Sequence, residues 1–203
     1  MSSRRRRLAA VTAALALSSS PGVGALVAIN QPSPAAARLQ GFYAMSGEVI
    51  DAVNVGGEYR GEVVQRQWAF SSVCPAGACP TVTLIRRRAT GVSDTLILYR
   101  RAPAFYVGTG MFYAPVQCGR RRILRGTRVP FQITVRITAA TTALNGQVLA
   151  TQLRAFYRNP SRTVLTSCVS LPAHDAVRYT GVPALPSAGS QRSVANTAPT
   201  VTS

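Results

Sequence analysis

The clearest pattern in the sequence is a strict alternation of apolar and polar residues near its middle. In the stretch VPFQITVRITA, the apolar residues Phe131, Ile133, Val135 and Ile137 occupy every second position, with glutamine, threonine and arginine between them. A period of two is typical of a β-strand with one buried and one solvent-facing side. We therefore predict such a strand here, with Arg136 on its solvent-facing side.

Several other segments have the β-branched and aromatic composition of strands. They are GFYAMSGEVIDAVNV, VVQRQWAF, TVTLI, TLILYR, FYVGTGMFY, LATQLRAFYR, TVLTSCVS and VRYTGV. Turn-forming residues separate them, at Gly56-Gly57, residues 74–80, Gly91, Pro103, Gly126, Asn145-Gly146 and Asn159-Pro160. No segment shows the 3.6-residue period of an amphipathic helix.

This order of elements predicts an all-β domain, which we assign to residues 38–183. About eight short strands with frequent turns are typical of two architectures, an antiparallel sandwich and a small up-and-down barrel. Glycines within the strands indicate the bends of a tightly curved sheet and favour the barrel; they are Gly47, Gly61, Gly108 and Gly110.

The two ends of the chain differ in composition from this domain. Residues 1–37 begin with four consecutive arginines, continue with a mostly apolar run and end in small residues, which is typical of an export signal. We expect a cut after Ala37; the alternative is an N-terminal membrane anchor that stays attached. Residues 184–203 are rich in alanine, serine, threonine and proline, and predict a disordered tail.

Export implies an oxidising compartment, where four cysteines favour two disulfides. Cys74 and Cys79 flank a Pro-Ala-Gly-Ala turn between two predicted strands and could meet across it, which leaves Cys118 to pair with Cys168. A zinc site usually adds histidines, and the chain has one histidine, His174. A thioredoxin-type motif has two intervening residues rather than four. We therefore predict structural disulfides, and no metal or cofactor.

The charge is strongly positive, with a formal net charge of +17 and no lysine among the basic residues. An arginine-only basic set indicates a GC-rich bacterial genome. Arginine also grips phosphates and carboxylates bidentately. The candidate anion-binding residues are the loop arginines Arg86, Arg87, Arg88, Arg100, Arg101, Arg120, Arg121 and Arg122. Since the first five flank one predicted hairpin, we expect them to lie side by side; a solubilising surface set by codon usage is the alternative.

Catalytic patterns are weak in this chain. His174 and Asp175 are adjacent on a predicted strand, so they point to opposite faces and do not orient each other. The six acidic residues show no spacing that joins two carboxylates across a cleft, and we expect them to be ion-pair partners of arginines. No nucleophile motif accompanies them. The sequence thus predicts a protein that is not an enzyme, with a hydrolase as the weakest alternative.

The aromatic residues raise the possibility of an internal ligand site. Trp68, Phe70 and Tyr99 are the candidates to line a cavity, since a barrel of about eight strands is either filled by side chains or holds one small ligand. GFY at Gly41 and YTG at Tyr179 frame the strands and resemble small secreted ligand-binding barrels of the lipocalin or avidin kind. Tyr43 stands where the lipocalin pattern has tryptophan, and the terminal helix is missing, so no site residue is transferred.

Together these features predict a secreted or cell-envelope binding module. Its expected partners are anionic envelope polymers or lipid headgroups, contacted through the arginine-rich loops. A carrier of a small apolar ligand is the alternative function. Arginines alternate with aromatic residues in LYRRAPAFY and RAFYR, a pattern also found where proteins stack on nucleic acid bases. Nucleic acid is therefore a further, less favoured partner. The sequence defines no oligomeric state.

Overall fold

The chain forms an all-β domain, seen in a computed structural model that describes residues 31–88, 90–168 and 171–185. Most of the predicted export signal and nearly all of the predicted tail lie outside these residues. Within them there is no α-helix, only a short 3-10 turn at Pro34–Ala36. The described part of the chain contains no helix with the length and apolarity needed to span a bilayer.

Nine strands make up the described domain. Their bounds are β1 Gly41–Val53, β2 Val63–Ser71, β3 Thr81–Arg87, β4 Ser93–Ala102, β5 Phe105–Cys118, β6 Arg121–Thr142, β7 Val148–Asn159, β8 Thr163–Val164 and β9 His174–Ala184. All neighbouring strands pair antiparallel. Every predicted strand segment is therefore found, although TVLTSCVS contributes only the two residues of β8.

Eight of these strands close into a barrel, so the barrel and not the sandwich is the architecture. The sheet runs β5-β4-β3-β2-β1-β9-β7-β6, and β5 also pairs with β6, which joins the two edges. Strand β8 extends the sheet beside β6. Closure gives each barrel strand two hydrogen-bonded neighbours and removes the exposed edges that promote aggregation.

The predicted turn at Gly126 is wrong. β5 and β6 form one long hairpin whose turn lies at Gly119, and Gly126 stands inside β6. Its backbone lies so close to Val116 on β5 that a Cβ atom would meet the valine side chain at 2.1 Å. Glycine at this position therefore marks a close approach of two strands and a shift in register, not a chain reversal.

Alternation places the apolar residues inside the barrel, as the pattern predicts. Phe131, Ile133, Val135 and Ile137 of β6 are all buried. The interior packs around aromatic side chains, with Tyr43 edge-on to Phe70 at 5.3 Å and Trp68 against Tyr179 at 5.1 Å between ring centroids. Such pairs contribute about 0.5–1.5 kcal/mol each beyond the apolar area that they bury.

The two ends of the barrel are built differently. We call the end that carries the β2–β3 and β4–β5 turns the base, and the end that carries the β1–β2, β3–β4 and β5–β6 turns the mouth. At the base, the segment before β1 crosses the barrel, with Ala37 and Leu39 fully buried. Arg38 lies between them and donates to the carbonyl oxygens of Ser72 and Cys74, each at 2.7 Å. The folded domain thus includes residues before the predicted boundary at residue 38.

Both predicted disulfides are present. Cys74 and Cys79 join across the β2–β3 turn at the base, with Cα atoms 5.6 Å apart. Cys118 and Cys168 join the tip of the β5–β6 hairpin to the segment that follows β8, with Cα atoms 5.7 Å apart. The second bridge therefore holds the mouth together, while the first fixes a local turn.

The two bridges are expected to contribute unequally to stability. They close loops with sequence separations of 5 and 50 residues. A longer loop loses more entropy when it is closed in the unfolded chain, which gives about 2 kcal/mol for Cys74–Cys79 and about 4 kcal/mol for Cys118–Cys168. Urea denaturation of the C74S/C79S and C118S/C168S double variants measures both losses. Equal losses would contradict this order.

Candidate functional site

A buried ion pair lies inside the barrel near its mouth. Arg86 on β3 and Asp94 on β4 are directly opposite in the strand register, and both face the interior. The Arg86 Nε donates to Asp94 Oδ2 at 3.1 Å, and its Nη2 lies 3.0 Å from the same oxygen. Arg88 Nε lies 3.3 Å from Asp94 Oδ1. One carboxylate therefore pairs with two guanidinium groups, and the cluster keeps a net positive charge.

Aromatic rings enclose the Arg86 guanidinium on its other sides. Its central carbon lies 4.0 Å from the ring centroid of Phe131, 4.8 Å from that of Tyr157 and 5.7 Å from that of Phe112. A desolvated cation over ring faces is stabilised by about 2 kcal/mol or more. Arg86 thus acts as an internal side chain of the barrel wall and is not available to an external anion.

A second charged cluster lies at the mouth, at the junction of β7, β8 and β9. Arg162 donates from Nη2 to Asp175 Oδ1 at 2.7 Å and from Nε to Asn159 Oδ1 at 3.2 Å. Asp175 is the most buried of the acidic side chains in the described ion pairs, with 4% exposed. The nearby hydroxyl of Tyr157 has its pKa raised, first by burial and then by the Asp175 charge, so it stays protonated.

An open cleft of about 550 Å³ lies at the mouth beside these charges. Three walls form it: the β1–β2 turn, the distal half of the β5–β6 hairpin, and the segment from β8 to β9. They contribute Asn54, Val55, Gly56 and Glu58; Ala114, Pro115, Val116, Gln117 and Thr127; and Arg162, Val164, Leu171 and Ala173. The cleft combines an apolar lining with one carboxylate and one guanidinium.

Glu58 is the unusual group of this cleft. Its Oε2 atom is covered by protein and has no hydrogen-bond partner among the described residues, and the same holds for Oε2 of Glu62. Burial raises the pKa of Glu58, and the charges of Asp175 and Glu62 raise it further against the lowering effect of Arg162 and Arg66. The nearby arginines thus only partly offset the effects of burial and of the neighbouring acids on the Glu58 carboxylate.

The predicted arginines do not form one patch, and the expected side-by-side arrangement of residues 86–88 and 100–101 is wrong. Residues 86–88 lie at the turn end of the β3–β4 hairpin, where Arg87 is exposed. Arg100 lies at the base and donates to Ala35 O at 3.0 Å, and Arg101 stacks over Tyr99 at 5.6 Å. About 20 Å of β4 separate Asp94 from Arg100, at about 3.4 Å a residue.

The remaining loop arginines are exposed at the mouth. Arg120, Arg121 and Arg122 occupy the tip of the β5–β6 hairpin, next to the Cys118–Cys168 bridge. They lie at the opposite end of the barrel from Arg100 and Arg101.

Of the three cavity candidates, Trp68 and Phe70 lie together in the core, with ring centroids 6.2 Å apart, and Tyr99 lies elsewhere. Trp68 and Phe70 are buried and pack against other core rings, with Tyr179 against Trp68 and Tyr43 against Phe70. Tyr99 lies on the outer face of β4 and is 48% exposed, so its placement in a cavity wall is wrong. Among the described residues, these three side chains do not enclose a common space.

The His174-Asp175 pair is divided between the two sides of the sheet. Asp175 faces Arg162 inside, whereas His174 Nε2 lies 3.2 Å from Asp51 Oδ2. Asp94 and Asp175 thus pair with arginines, as expected, but the expectation is wrong for the other four acidic residues. Asp51 pairs with His174, and Glu48, Glu58 and Glu62 form no ion pair within the described residues. Within residues 31–88, 90–168 and 171–185, no three histidine, cysteine or acidic side chains are grouped so as to hold a metal ion.

A charged surface that the loop-based prediction missed lies on the outer wall. We call it the arginine face; it consists of Arg136 on β6, Arg154 and Arg158 on β7, and Arg178 on β9, all exposed. Arg136 and Arg154 are directly opposite each other in the register. No carboxylate oxygen of the described residues lies within 4 Å of these four side chains. The sequence signal that could have identified this face is the strand alternation, because each of these arginines occupies a solvent-facing position of its strand.

Comparison of the chain with protein-family models, with curated proteins and with solved structures finds no match. The function of the chain is therefore inferred from its residues and their arrangement.

Breaking the Arg86–Asp94 pair is expected to be strongly destabilising. Asp94→Asn leaves the buried Arg86 without its counter-charge, at a cost of about 3–5 kcal/mol in the free energy of unfolding. The matched control is Asp51→Asn, which removes the exposed contact with His174 and should cost less than about 1 kcal/mol. Urea denaturation at pH 7 measures both, and similar losses would contradict the structural role of Asp94.

Glu58 is expected to destabilise the fold when it is ionised. Because its pKa is raised in the folded state, Glu58→Gln should raise the Tm at pH 7. This gain should shrink as the pH falls through the folded-state pKa and vanish below the ordinary glutamate pKa of about 4.3. Thermal unfolding between pH 3 and 8 measures it, with Glu48→Gln on the exposed outer face of β1 as the control. A gain of the same size at every pH would refute the assignment.

Proposed function

We propose that the protein is an exported, non-catalytic binding protein that attaches to phosphate-bearing polymers of the cell envelope through the arginine face. The observation that carries this proposal is the direct opposition of Arg136 and Arg154 on adjacent strands without a carboxylate between them. Like charges at opposed positions of a sheet destabilise it, and their Cβ atoms lie about 5 Å apart. A bound polyanion removes that repulsion.

The chemistry of the face matches phosphate. Each arginine presents a planar fork of donors that binds two phosphate oxygens at once. Arg136 is flanked by an aromatic ring, with its central carbon 5.1 Å from the Phe105 ring centroid. Phe156 stands between Arg154 and Arg158 on the same outer side of β7. Stacking on Phe105 holds the Arg136 guanidinium in place, which reduces the entropy that this side chain loses on binding.

The extent of the face favours a polymer over a single ion. Arg154 and Arg158 are about 14 Å apart along β7, and the face crosses three strands at about 4.8 Å spacing. One phosphate group contacts only a part of such a surface. A chain of repeated phosphates can engage several arginines together, with the salt dependence that accompanies release of counterions.

The distribution of acids supports the same proposal. Asp94 and Asp175 face the interior, and Glu58 and Glu62 lie partly buried at the mouth. Four of the six acidic residues thus lie away from the outer wall. On the outer wall, Glu48 of β1 stands opposite Arg178 in the strand register. Arg136, Arg154 and Arg158 have no acidic residue opposite them in the described strand pairings, so these three generate a positive field that attracts polyanions.

The two disulfides indicate an oxidising environment. We propose that the arginine-led segment at the start of the chain directs export. We propose that the cut, or the end of a retained anchor, lies N-terminal to Pro34 and not after Ala37, because Ala37 is buried and the backbone oxygen of Ala35 accepts a hydrogen bond from Arg100. We prefer a binding role to a catalytic one because the most buried charged groups at the mouth are engaged in ion pairs. These ion pairs hold neighbouring strands together.

Binding of a long inorganic polyphosphate is the test of this function. Arg136→Gln/Arg154→Gln should weaken binding at least tenfold at low salt and reduce the slope of log K against log salt by about 2, since about one counterion is released per phosphate contact. The matched control, Arg121→Gln/Arg122→Gln, removes two arginines from the hairpin tip. Fluorescence anisotropy across a salt series measures both.

Three outcomes would overturn the proposal. The first is equal weakening by the two double variants, which would assign binding to net charge alone. The second is salt-insensitive binding. The third is binding to vesicles of phosphatidylglycerol, or to single-stranded DNA, without binding to polyphosphate; this would transfer the function to lipid headgroups or to nucleic acid.

A further inference from the structure

The mouth cleft is a preformed space with fixed walls. The disulfide Cys118–Cys168 joins the β5–β6 hairpin to the segment behind β8. Asn54 on the β1–β2 turn donates from Nδ2 to Pro172 O at 2.8 Å, which connects the first wall to the third. The volume of about 550 Å³ falls within the range of small-molecule sites. The cleft therefore does not need to be opened by a ligand.

Two opposite charges, Glu58 and Arg162, line this cleft without forming an ion pair with each other. No nitrogen of Arg162 lies within 4 Å of a Glu58 oxygen. Arg162 uses Nε and Nη2 for Asn159 and Asp175, and within the described residues its Nη1 makes no hydrogen bond. The Glu58 side chain forms no hydrogen bond or ion pair with the described residues either, and only its Oε2 atom is covered by protein. Both groups retain binding capacity, one as an acceptor and one as a donor.

We propose that the mouth cleft binds a small zwitterion with an aliphatic part, such as an amino acid or a dipeptide. Its ammonium group would pair with the Glu58 carboxylate and its carboxylate with Arg162. The aliphatic part would lie on Val55, Val116, Val164 and Leu171.

The charged groups around the cleft favour a zwitterion over a ligand with a single charge. A plain cation can pair with Glu58 but leaves the Nη1 donor of Arg162 without an acceptor among the described residues. A plain anion meets the carboxylates of Glu58, Glu62 and Asp175, which act on one another electrostatically. A zwitterion carries no net charge and presents each end to a complementary group. This site is independent of the arginine face, which lies on the outer wall.

Isothermal titration calorimetry with matched probes tests the proposal. The zwitterions are L-leucine and leucyl-leucine, and the single-charge analogues are 3-methylbutylamine and 4-methylpentanoate. At pH 7, at least one zwitterion should bind the full chain tenfold or more tightly than either analogue. Glu58→Gln should weaken that zwitterion at least tenfold, while Glu48→Gln should leave it unchanged. Affinity should also fall as the pH drops through the folded-state pKa of Glu58, because the protonated carboxyl no longer pairs with an ammonium ion.

The opposite results are equally clear. The site would be refuted by an analogue that binds as tightly as both zwitterions, by absence of zwitterion binding at millimolar concentration, or by binding that Glu58→Gln leaves unchanged. Thermal unfolding of Glu58→Gln, expected at or above the parent Tm, shows that the variant is folded. Its polyphosphate affinity, expected to be unchanged, separates failure of this site from failure of the arginine face.

Discussion

Closure of eight antiparallel strands is the constraint on which the rest of this structure depends. Once β5 pairs with β6, every barrel strand has two partners, and each of its residues must face either the interior or the outside. A charged residue at an inward position then has to find a counter-charge within the barrel. Arg86 and Asp94 meet this requirement because the register places them opposite each other on adjacent strands. The same alternation places Arg136 and Arg154 outside, where no carboxylate of the described residues pairs with them.

The two ends of the barrel satisfy their polar groups in different ways. At the base, Arg38 and two tyrosine hydroxyls donate to backbone oxygens: Tyr43 to Ala150 at 2.7 Å and Tyr106 to Cys79 at 3.1 Å. Burial raises the pKa of Tyr43 to about 12, so this donor is kept through the physiological range. At the mouth, the Glu58 side chain has no hydrogen-bond partner in the described part of the chain. An end whose polar groups are satisfied stabilises a fold, whereas an unsatisfied carboxylate in a cleft is typical of a site that exchanges a ligand.

Much of the fold could be predicted from local pattern. The period of two defined the strands, glycines within strands favoured the barrel, and cysteine spacing within an oxidising compartment gave both disulfides. The charged sites could not be predicted in the same way. The run of arginines predicted that residues 86–88 bind anions together. Arg86 nevertheless faces inward and Arg87 outward, because adjacent strand residues point to opposite sides of the sheet. Arg136 and Arg154 are 18 positions apart, and only the register of β6 with β7 shows that they meet. The Glu58 environment likewise depends on groups that are distant in sequence: Arg66 on β2, Arg162 between β7 and β8, and Asp175 on β9.

Alternation also explains why one small domain can carry two sites of opposite character. The arginine face uses outward positions of β6, β7 and β9, and the mouth cleft uses turns and the end of the interior. A polymer on the wall therefore neither covers the cleft residue Glu58 nor changes its charge directly. Coupling between the sites would have to pass through β9, where Asp175 faces Arg162 and Arg178 faces solvent three residues later. Because the closed barrel holds β9 between β1 and β7 along most of its length, this strand cannot shift without breaking both ladders. We therefore infer that the two sites act independently.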